Sequence, residues 1–594
     1  MLHDSDLVSI QEVRAKVEQA YAAFQQFRNF TQEKIDAIVE AMAAAARAHS
    51  ARLAQLAVDE TSYGNARDKL AKNLLAADIL SRAIRGLKTV GVLREDTERK
   101  IVEIGVPVGV IAAILPTTNP TSTAIYKILI SLKAGNAVVL SPHPRAKACS
   151  CETAHVMYEA ARAAGAPEHI IGCINNATME GTDALMRHPR TSVILATGGA
   201  GIVKAAYSSG KPAFGVGPGN VPVLLDASAP IAEAVSKVVQ GKSFDYGTLC
   251  SSEQTLVALA SSKTAVLDEL RKCKAHLCSA DQAKALAKLL IAPNWRINPN
   301  CVGQAPTKIA QMAGFSVPPE TSILVAEIGG VGKEHPLSME KLSPVLSLLF
   351  VEGWEEQVRA CQALLKFGGL GHTSVIHATD PARIREYGLR IPSFRVLVNT
   401  PAPQGSTGIT TGLQPAMTLG CGAMAGNATS DNIGPLHLIN IRRLAMVIRN
   451  VEDAFESPLT MPAVTNDSGA VKEMVASAVE RFLTQRGLGG GSAPASPAAA
   501  VVDRFLSARA AAEVSCGCAA PVSPAPAVVK PPEPSPVAPP PPPAIAISDF
   551  VCEADVRAAM NSNRKIHIGP RTIVTPSARE LGNQHDILVT AQRS

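Results

Sequence analysis

Apolar runs and segments of helical periodicity alternate through the first half of the chain. Runs of nearly continuous apolar residues predict buried strands at 108–115, 137–141, 170–175, 192–196 and 221–225. Apolar positions spaced by three and four residues predict helices between them, at 122–133, 151–164 and 201–209. Apolar strands separated by helices indicate a parallel sheet that is covered on both faces. We therefore expect a fold of the α/β class.

The pattern changes towards the end of the chain. Residues 487–546 are rich in Gly, Ala, Pro and Ser and include the proline run Pro539–Pro543, which predicts an extended linker. Inside it, residues 499–512 carry apolar side chains at helical spacing and predict a short amphipathic helix. That helix either docks on a partner surface or packs on its own domain. Residues 547–594 regain a mixed composition and are expected to form a tail module.

Composition narrows the classes of function. The chain has 594 residues, of which 46% are hydrophobic and 18% charged, with a formal net charge of +6. This balance predicts a large buried core and gives no basic footprint for nucleic acid. The first 20 residues mix charged with apolar positions, which favours an amphipathic helix over a secretory leader. The most apolar run, 108–115, is shorter than the ~20 residues of a membrane span. We expect a cytoplasmic protein without a membrane partner.

The chain contains twelve cysteines without regular spacing. Two C-x-C pairs occur, Cys149 with Cys151 and Cys516 with Cys518, but no His or Cys follows either pair at zinc-finger spacing. The cysteines are therefore interpreted as free thiols in a reducing compartment. No metal site is expected.

Two glycine-rich turns follow predicted strands, at Thr197–Gly201 and Gly215–Asn220. Glycines let the backbone approach a ligand, and a helix N-terminus favours phosphate. Neither turn is a strict G-x-G-x-x-G, so a tight connection between strand and helix is the alternative. Soon afterwards Cys250 stands among small and polar residues in the stretch 243–252, which suits a thiolate nucleophile. Taken alone, Cys250 could equally be a small buried apolar residue.

The order of these motifs resembles the aldehyde dehydrogenase superfamily. The chain runs from Pro116–Pro120 through Thr197-Gly198-Gly199, the turn 215–220 and Cys250 to Glu340–Pro344. This resemblance implies a doubly wound cofactor domain, an α/β catalytic domain and a small oligomerisation element. We place the N-terminal and cofactor region at 1–246, the catalytic domain at 247–430 and the remainder of the enzyme core at 431–486. A homodimer or homotetramer is implied as well.

One departure from the family pattern selects a branch. Hydrolytic aldehyde dehydrogenases carry a glutamate upstream of the nucleophile that activates water, and Gly215 stands at that place here. Without a general base, water attack on a thioester is slow, whereas a thiol nucleophile needs less help. The chain is therefore similar to the CoA-acylating branch, which includes the acetaldehyde and propionaldehyde enzymes. The resemblance implies oxidation of a short-chain aldehyde, propionaldehyde before acetaldehyde, to an acyl-CoA.

The resemblance also implies roles for single residues. Cys250 attacks the aldehyde, and its backbone N–H together with Asn119 or Thr118 holds the oxyanion. Glu340 holds the nicotinamide ribose, and His372 lines the path of the substrate and the CoA thiol. The remaining cofactor contacts expected are Pro116, Ser141, His143, Thr197, Gly198, Gly199 and Gly217. The cofactor is NAD, with NADP possible because no ribose carboxylate follows the strand 137–141.

The tail 547–594 is similar to short segments on proteins of bacterial microcompartments. This implies an enzyme of propanediol-type degradation packaged in a microcompartment, with shell proteins bound through 499–512. Three alternatives stay open: a hydrolytic aldehyde dehydrogenase, a histidinol dehydrogenase-like enzyme that needs zinc, and a scaffold protein that acts through its tail.

Overall fold

The structure is a computed structural model that describes residues 4–456, 468–485, 547–562 and 564–590. The chain divides into two compact units, Met1–Leu459 and Thr460–Ser594. Within the described residues no helix is both long and apolar enough to cross a membrane.

The first unit contains helices α1 Ser5–Phe27, α2 Gln32–Thr61, α3 Ala66–Leu74, α4 Ser81–Ile84, α5 Pro120–Lys133, α6 Lys147–Ala163, α7 Met179–Arg187, α8 Ala200–Tyr207, α9 Ile231–Ser243, α10 Lys263–Lys272, α11 Ala280–Leu290, α12 Pro306–Met312, α13 Trp354–Gly368, α14 Pro381–Arg390 and α15 Ala402–Ser406. Its strands are β1 Gly91–Asp96, β2 Ile101–Pro107, β3 Val110–Ile114, β4 Ala137–Ser141, β5 Ile171–Cys173, β6 Thr191–Thr197, β7 Ala213–Val216, β8 Val221–Leu225, β9 Glu253–Leu259, β10 His276–Leu277, β11 Leu324–Glu327, β12 Val345–Val351, β13 Gly371–His377, β14 Ser393–Val398 and β15 Ile439–Ala445. A π-helical segment, Leu75–Leu80, joins α3 to α4.

A parallel five-stranded sheet in the order β5-β4-β3-β6-β7 forms the first half of this unit. Helix α1 packs with α7, and α2 packs with α5 and α6, so helices sandwich the sheet around one large apolar core. The predicted strand 137–141 is confirmed to the residue. Helix α6 begins four residues before the predicted start at 151, because Glu60 accepts the backbone N–H groups of Ala148 and Cys149. Such a tertiary cap has no local sequence signal.

The strand order of this sheet creates a crevice between β3 and β6. From β3 the chain proceeds to β4 on one side, whereas β6 and β7 lie on the other, so the connections diverge at this point. Ligands of open α/β sheets bind at the carboxyl ends of strands where the order reverses. The buried Lys127 Nζ donates to the carbonyls of Ile114 (2.6 Å) and Leu195 (2.8 Å) and thereby ties the two diverging strands together.

A second parallel sheet contains seven strands in the order β10-β11-β12-β9-β8-β13-β14, with an apolar core on each side. The strand predicted at 221–225 forms as expected, but it lies in this second sheet as β8 and does not continue the first. The chain thus changes sheets between Val216 and Val221. The domain boundary placed at residue 247 stays a prediction.

A small antiparallel sheet in the order β1-β2-β15 completes the first unit. Strand β15 is exposed over nearly its whole length, from Asn440 to Ala445. Large apolar side chains of this strand and the segment after it lie on the surface: Ile441, Leu444, Met446, Val447, Ile448, Val451 and Phe455.

The second unit contains helix α16, Ser468–Gln485, and a parallel three-stranded sheet in the order β16-β17-β18. Its strands are β16 Ile547–Val551, β17 Ile566–Val574 and β18 Leu588–Thr590, and its helices are α17 Glu553–Asn561 and α18 Pro576–Gln584. The tail therefore forms a small β-α-β-α-β module with its own apolar cluster. The amphipathic helix predicted at 499–512 lies outside the described residues.

The structure corrects the interpretation of one cysteine pair. Cys151 in α6 and Cys173 in β5 form a disulfide, whereas the sequence led us to expect free thiols. The two residues are 22 positions apart, and only the packing of α6 on β5 brings them together. Cys149 is free and buried.

Candidate active site

The nucleophile predicted from the sequence lies between the two sheets. Cys250 precedes β9 at the amino edge of the seven-stranded sheet, and His372 is the second residue of β13 at the same edge. The Cys250 Sγ and His372 Nε2 atoms are 3.1 Å apart. The Cys250 residue is partly exposed, while His372 is fully buried. The two sequence-predicted residues therefore form a direct pair.

Burial favours the uncharged form of both members of the pair. Burial, and then the nearby Glu340 carboxyl, raise the pKa of the Cys250 thiol to about 12. Burial, and then the charge of Arg395, hold the pKa of His372 well below its ordinary value. A thiol beside an uncharged imidazole differs from the ion pairs that activate many cysteines, so additional groups must stabilise charge during the reaction.

The turn that joins the two sheets packs directly beneath the nucleophile. Gly219 has no space for a side chain, because a Cβ atom there would collide with the carbonyl oxygen of Cys250. The Gly219 N–H donates to Glu340 Oε1 at 3.2 Å. Asn220 Nδ2 donates to the carbonyls of Ser338 (2.8 Å) and Leu364 (3.0 Å). One short turn thus fixes Cys250 against Glu340. Burial also raises the pKa of the Glu340 carboxyl to about 8.

A buried charge cluster ties the nucleophile loop to the first sheet. Asp245 is fully buried and accepts from Lys72 Nζ, from Lys69 Nζ at 3.2 Å and from Thr248 Oγ1 at 2.7 Å. Burial alone would raise the pKa of Asp245, but the charges of Lys72 and Lys69 outweigh it and hold that pKa below its ordinary value. The same burial lowers the pKa of Lys72 to about 8 despite its carboxylate partner. Helix α3 and the loop before Cys250 are therefore linked through charge.

The same lysines hold the two candidate oxyanion residues. Lys72 Nζ donates to Asn119 Oδ1 at 2.5 Å, and Lys69 Nζ donates to the Thr118 carbonyl at 3.0 Å. Asn119 Nδ2 donates one hydrogen to Thr118 Oγ1 at 3.0 Å. Because Lys72 occupies the amide oxygen, the amide nitrogen must face away from it and keeps a second hydrogen for a ligand. This arrangement favours Asn119 over Thr118 as the donor.

Most predicted cofactor residues lie at the carboxyl edge of the five-stranded sheet. Pro116 follows β3, Thr197 ends β6, and Gly217 follows β7. Gly199 is the N-cap residue of α8, and a Cβ atom at Gly199 or Gly217 would meet open space. The Thr197 hydroxyl is buried without a hydrogen-bond partner among the described residues. An open glycine cradle at a helix N-terminus, with an unpaired hydroxyl beside it, fits the pyrophosphate of a dinucleotide.

The adenine side of this crevice is less specific. Ser141 is buried and its hydroxyl pairs with that of Thr182 at 2.9 Å. His143 is exposed, and its Nδ1 accepts the Arg145 N–H at 3.1 Å. Arg145 stacks over the ring of Tyr63, with 5.3 Å from its Cζ atom to the ring centroid. Of the two predicted residues on this side, Ser141 has its hydroxyl paired, whereas the exposed ring of His143 can contact a ligand.

The position of the hydrolytic glutamate is closed. The Gly215 N–H in β7 donates to the Tyr207 hydroxyl at 3.1 Å. A Cβ atom at Gly215 would lie 2.7 Å from Val203 Cγ1 and 3.0 Å from Tyr207 Cε2. A carboxylate side chain therefore has no space at this point unless the side chains of Val203 and Tyr207 on α8 move.

Sequence reasoning missed several residues that build the site. Lys69 and Lys72 are one helical turn apart, a spacing that is typical of a solvent-exposed helix face. Asp245 lies in the stretch 243–252, but its sequence context predicts no role for it. Arg395 is buried next to the Cys250–His372 pair and had no motif to mark it. Among the described residues, no cluster of three or more His, Cys, Asp or Glu side chains could hold a metal ion.

A substitution at Lys72 tests how much the buried cluster of Asp245, Lys69 and Lys72 contributes to the stability of the protein. In Lys72→Met, the Asp245 carboxylate keeps only Lys69 as a cationic partner, which should destabilise the protein by about 3 kcal/mol. We expect a clearly lower midpoint of thermal unfolding. Lys284→Met is the matched control, because Lys284 is 81% exposed beside Asp281 and should leave the midpoint unchanged. Equal midpoints for the two variants would contradict the role of the cluster.

Comparison with known proteins gives one consistent result. Residues 4–285 match the aldehyde dehydrogenase family. The chain is 50% identical to an acetylating aldehyde dehydrogenase of Geobacillus thermoglucosidasius of known structure, with a TM-score of 0.75 over 76% of this chain and 99% of that one. It is 28% identical to a propionaldehyde dehydrogenase from the fucose utilisation bacterial microcompartment of Clostridium phytofermentans, with a TM-score of 0.67 over 73% and 97% of the two chains.

A third relative is the bifunctional aldehyde-alcohol dehydrogenase of Escherichia coli K12, 43% identical over 450 residues. These residues are 75% of this chain and 50% of the relative, so the chain spans about half the length of such bifunctional proteins. The α/β fold with its parallel sheets agrees with these similarities. The chain belongs to the aldehyde dehydrogenase family.

Proposed function

We propose that this protein oxidises a short-chain aldehyde to an acyl-CoA with a nicotinamide nucleotide, through a thioester on Cys250. The observation that carries the proposal is the Cys250–His372 pair, at 3.1 Å, combined with the closed position at Gly215. The pair supplies a nucleophile, and the closed position removes the base that would activate water. A thiol acceptor then completes the reaction.

In the first step the Cys250 sulfur bonds to the aldehyde carbon, and the carbonyl electron pair moves to oxygen. The thiol proton leaves to solvent at the exposed side of Cys250. The backbone N–H of Cys250 and the Nδ2 of Asn119 hold the oxyanion, and Lys72 keeps the Asn119 amide in the donating orientation. Thr118 supports Asn119 through its hydroxyl and is not itself the main donor.

A nicotinamide nucleotide, when bound, would supply the hydride acceptor for oxidation of the hemithioacetal on Cys250 to a thioester. The turn 197–199 at the start of α8 would hold its pyrophosphate, and Glu340 would hold its ribose next to Cys250. Pro116 and Gly217 line the crevice between them, and Ser141 and His143 stand on the adenine side. We propose NAD as the cofactor. NADP is the alternative, because the stretch 141–145 contains no carboxylate that would repel its 2′-phosphate.

In the second step the CoA thiolate attacks the thioester carbon, and the Cys250 sulfur leaves. The carbon–sulfur bond to CoA forms as the bond to Cys250 breaks. The Cys250 thiolate then takes up one proton from solvent, which replaces the proton lost in the first step and restores the starting thiol. His372 lies against the leaving sulfur and excludes solvent on its buried side. Propionaldehyde is the substrate we propose first, because microcompartment enzymes of this type often act on three-carbon aldehydes. Acetaldehyde is the next candidate, and the acetylating enzyme among the similar solved structures supports it.

We also propose a homodimer or homotetramer that covers the exposed apolar residues around β15. A cluster of large apolar side chains on one exposed strand and its continuation is typical of an interface between subunits. Packaging in a bacterial microcompartment is proposed through the tail and the segment 499–512. Its support is the sequence of the tail, the separate module at 547–590, and the microcompartment origin of one structural neighbour.

Formation of reduced nucleotide with and without CoA tests the proposed reaction. We expect steady turnover of propionaldehyde or acetaldehyde only when CoA is present, and none for Cys250→Ala. Cys273→Ala is the matched control, because Cys273 is a free, partly exposed cysteine directly after α10 that should not affect turnover. Steady turnover without CoA would place the enzyme in the hydrolytic branch. Full turnover by Cys250→Ala would favour a role for the chain outside this chemistry.

Removal of residues 487–594 tests the oligomer proposal and the packaging proposal independently. We expect the shortened chain to sediment as the same dimer or tetramer as the full chain, because the β15 surface is retained. We also expect it to lose co-purification with shell proteins. A monomeric full-length chain would contradict the oligomer proposal, and continued co-purification of the shortened chain would contradict packaging through the tail.

A further inference from the structure

A buried row of polar groups leads away from the nucleophile. Beyond Cys250, the His372 Nδ1 atom lies 2.9 Å from Thr373 Oγ1, and Arg395 Nε lies 3.4 Å from the same oxygen. Thr373 in β13 and Arg395 in β14 are direct partners in the parallel register of the seven-stranded sheet. His372 and Thr373 are 0% exposed and Arg395 is 2% exposed, so bulk water does not reach the row.

Arg395 determines which atoms donate and which accept along this row. A guanidinium group donates and cannot accept, and it stays charged in proteins. Its other nitrogens donate to the backbone carbonyls of Gly420 (2.6 Å) and Ser430 (3.1 Å), which fixes the plane of the group. The Nε–H therefore points at Thr373 Oγ1, and Thr373 is the acceptor of this bond.

Thr373 must then donate its own hydroxyl hydrogen elsewhere. In the part of the chain that the structure describes, the remaining hydrogen-bond partner of Thr373 Oγ1 is His372 Nδ1. If Nδ1 carried the ring proton, the Thr373 hydroxyl hydrogen would be buried without an acceptor, which is unfavourable for a polar group that water does not reach. If His372 Nδ1 is unprotonated, it accepts the Thr373 hydroxyl hydrogen and no polar group is left unpaired. The ring proton of the neutral imidazole is then on Nε2, which faces Cys250 Sγ.

We infer that Thr373 and Arg395 are positioning residues that hold His372 in the Nε2–H tautomer, so that the imidazole donates a hydrogen bond to the Cys250 sulfur. His372 in this form does not take the thiol proton. It stabilises negative charge on sulfur, both when the thiolate attacks and when it leaves in the transfer to CoA. The inference rests on the proposed function for its role in catalysis, whereas the tautomer itself can be measured without turnover.

The tautomer is tested by NMR of the full-length chain labelled with ¹⁵N-histidine, since a protonated and an unprotonated ring nitrogen differ widely in chemical shift. We expect Nδ1 of His372 to be unprotonated and Nε2 protonated at neutral pH, with the resonances assigned by their loss in His372→Gln. Thr373→Val should move the proton to Nδ1 or mix the two forms, and Thr373→Ser should restore the wild-type pattern. A wild-type ring with its proton on Nδ1 would overturn the inference even if no variant folds.

Ser374→Ala is the matched control for loss of a buried hydroxyl from the same strand. The Ser374 hydroxyl pairs with that of Ser393 at 2.7 Å and does not contact the row. We expect this variant to keep the wild-type histidine pattern. A shift in Ser374→Ala as large as that in Thr373→Val would mean that general loosening of β13 moves the proton, and would overturn the assignment to Thr373.

Alkylation of Cys250 by iodoacetamide provides a second readout that does not depend on the dehydrogenase reaction. Loss of a hydrogen bond to the thiolate should slow alkylation about tenfold in Thr373→Val at a fixed pH, with recovery in Thr373→Ser. Simple loosening of the site would increase access and speed alkylation, which would contradict the inference. If the wild-type protein gives the expected tautomer but no CoA-dependent turnover, the proposed function fails and the positioning role of Thr373 and Arg395 survives.

Discussion

Close packing of one turn against the nucleophile determines how the two halves of this protein cooperate. The turn 217–220 carries the chain from the carboxyl edge of the five-stranded sheet to the amino edge of the seven-stranded sheet. Gly219 in this turn contacts the Cys250 backbone so closely that no side chain fits, and its N–H holds Glu340. The cofactor crevice and the nucleophile are therefore set at a fixed separation by backbone geometry. Flexible side chains could not maintain that separation as well.

Charge buried around this turn shapes the chemistry. Asp245 and its two lysines connect α3, the turn before α5 and the loop before Cys250 through bonds that water does not reach. Their burial makes the cluster costly to break and holds the Asn119 amide in one orientation. On the other side, Arg395 reaches the nucleophile through Thr373 and His372. Two networks with cationic side chains, one from α3 and one from β14, thus reach the Cys250–His372 pair or the loop before it, which suits a site where negative charge develops on oxygen and sulfur.

The sequence predicted the parts of this site that depend on local pattern. The strand 137–141 and the glycine turn 197–199 were recognisable because an apolar run and a following helix mark them without tertiary information. Cys250 gained its role only from the order of motifs, and the family resemblance is confirmed by the comparisons. The roles of single residues in the site stay proposals.

Other features could not be predicted because they depend on long-range packing. Lys72 and Asp245 are 173 residues apart, and nothing local distinguishes this lysine from one on a surface. The placement of 221–225 in the second sheet depends on pairing with β9 and β13, which the apolar run does not reveal. The Cys151–Cys173 disulfide likewise results from helix-on-strand contact. In each case the residue types were visible and the spatial partner was not.

The central claim is that Cys250 carries the acyl group between oxidation and transfer to CoA. Mass spectrometry of the peptide that contains Cys250 measures this most directly, after incubation with aldehyde and nicotinamide nucleotide in the absence of CoA. The account predicts an added acyl group on Cys250 that disappears when CoA is supplied, with acyl-CoA as the product. A Cys250 that stays unmodified while the aldehyde is oxidised, or an acyl group that CoA does not remove, would contradict it.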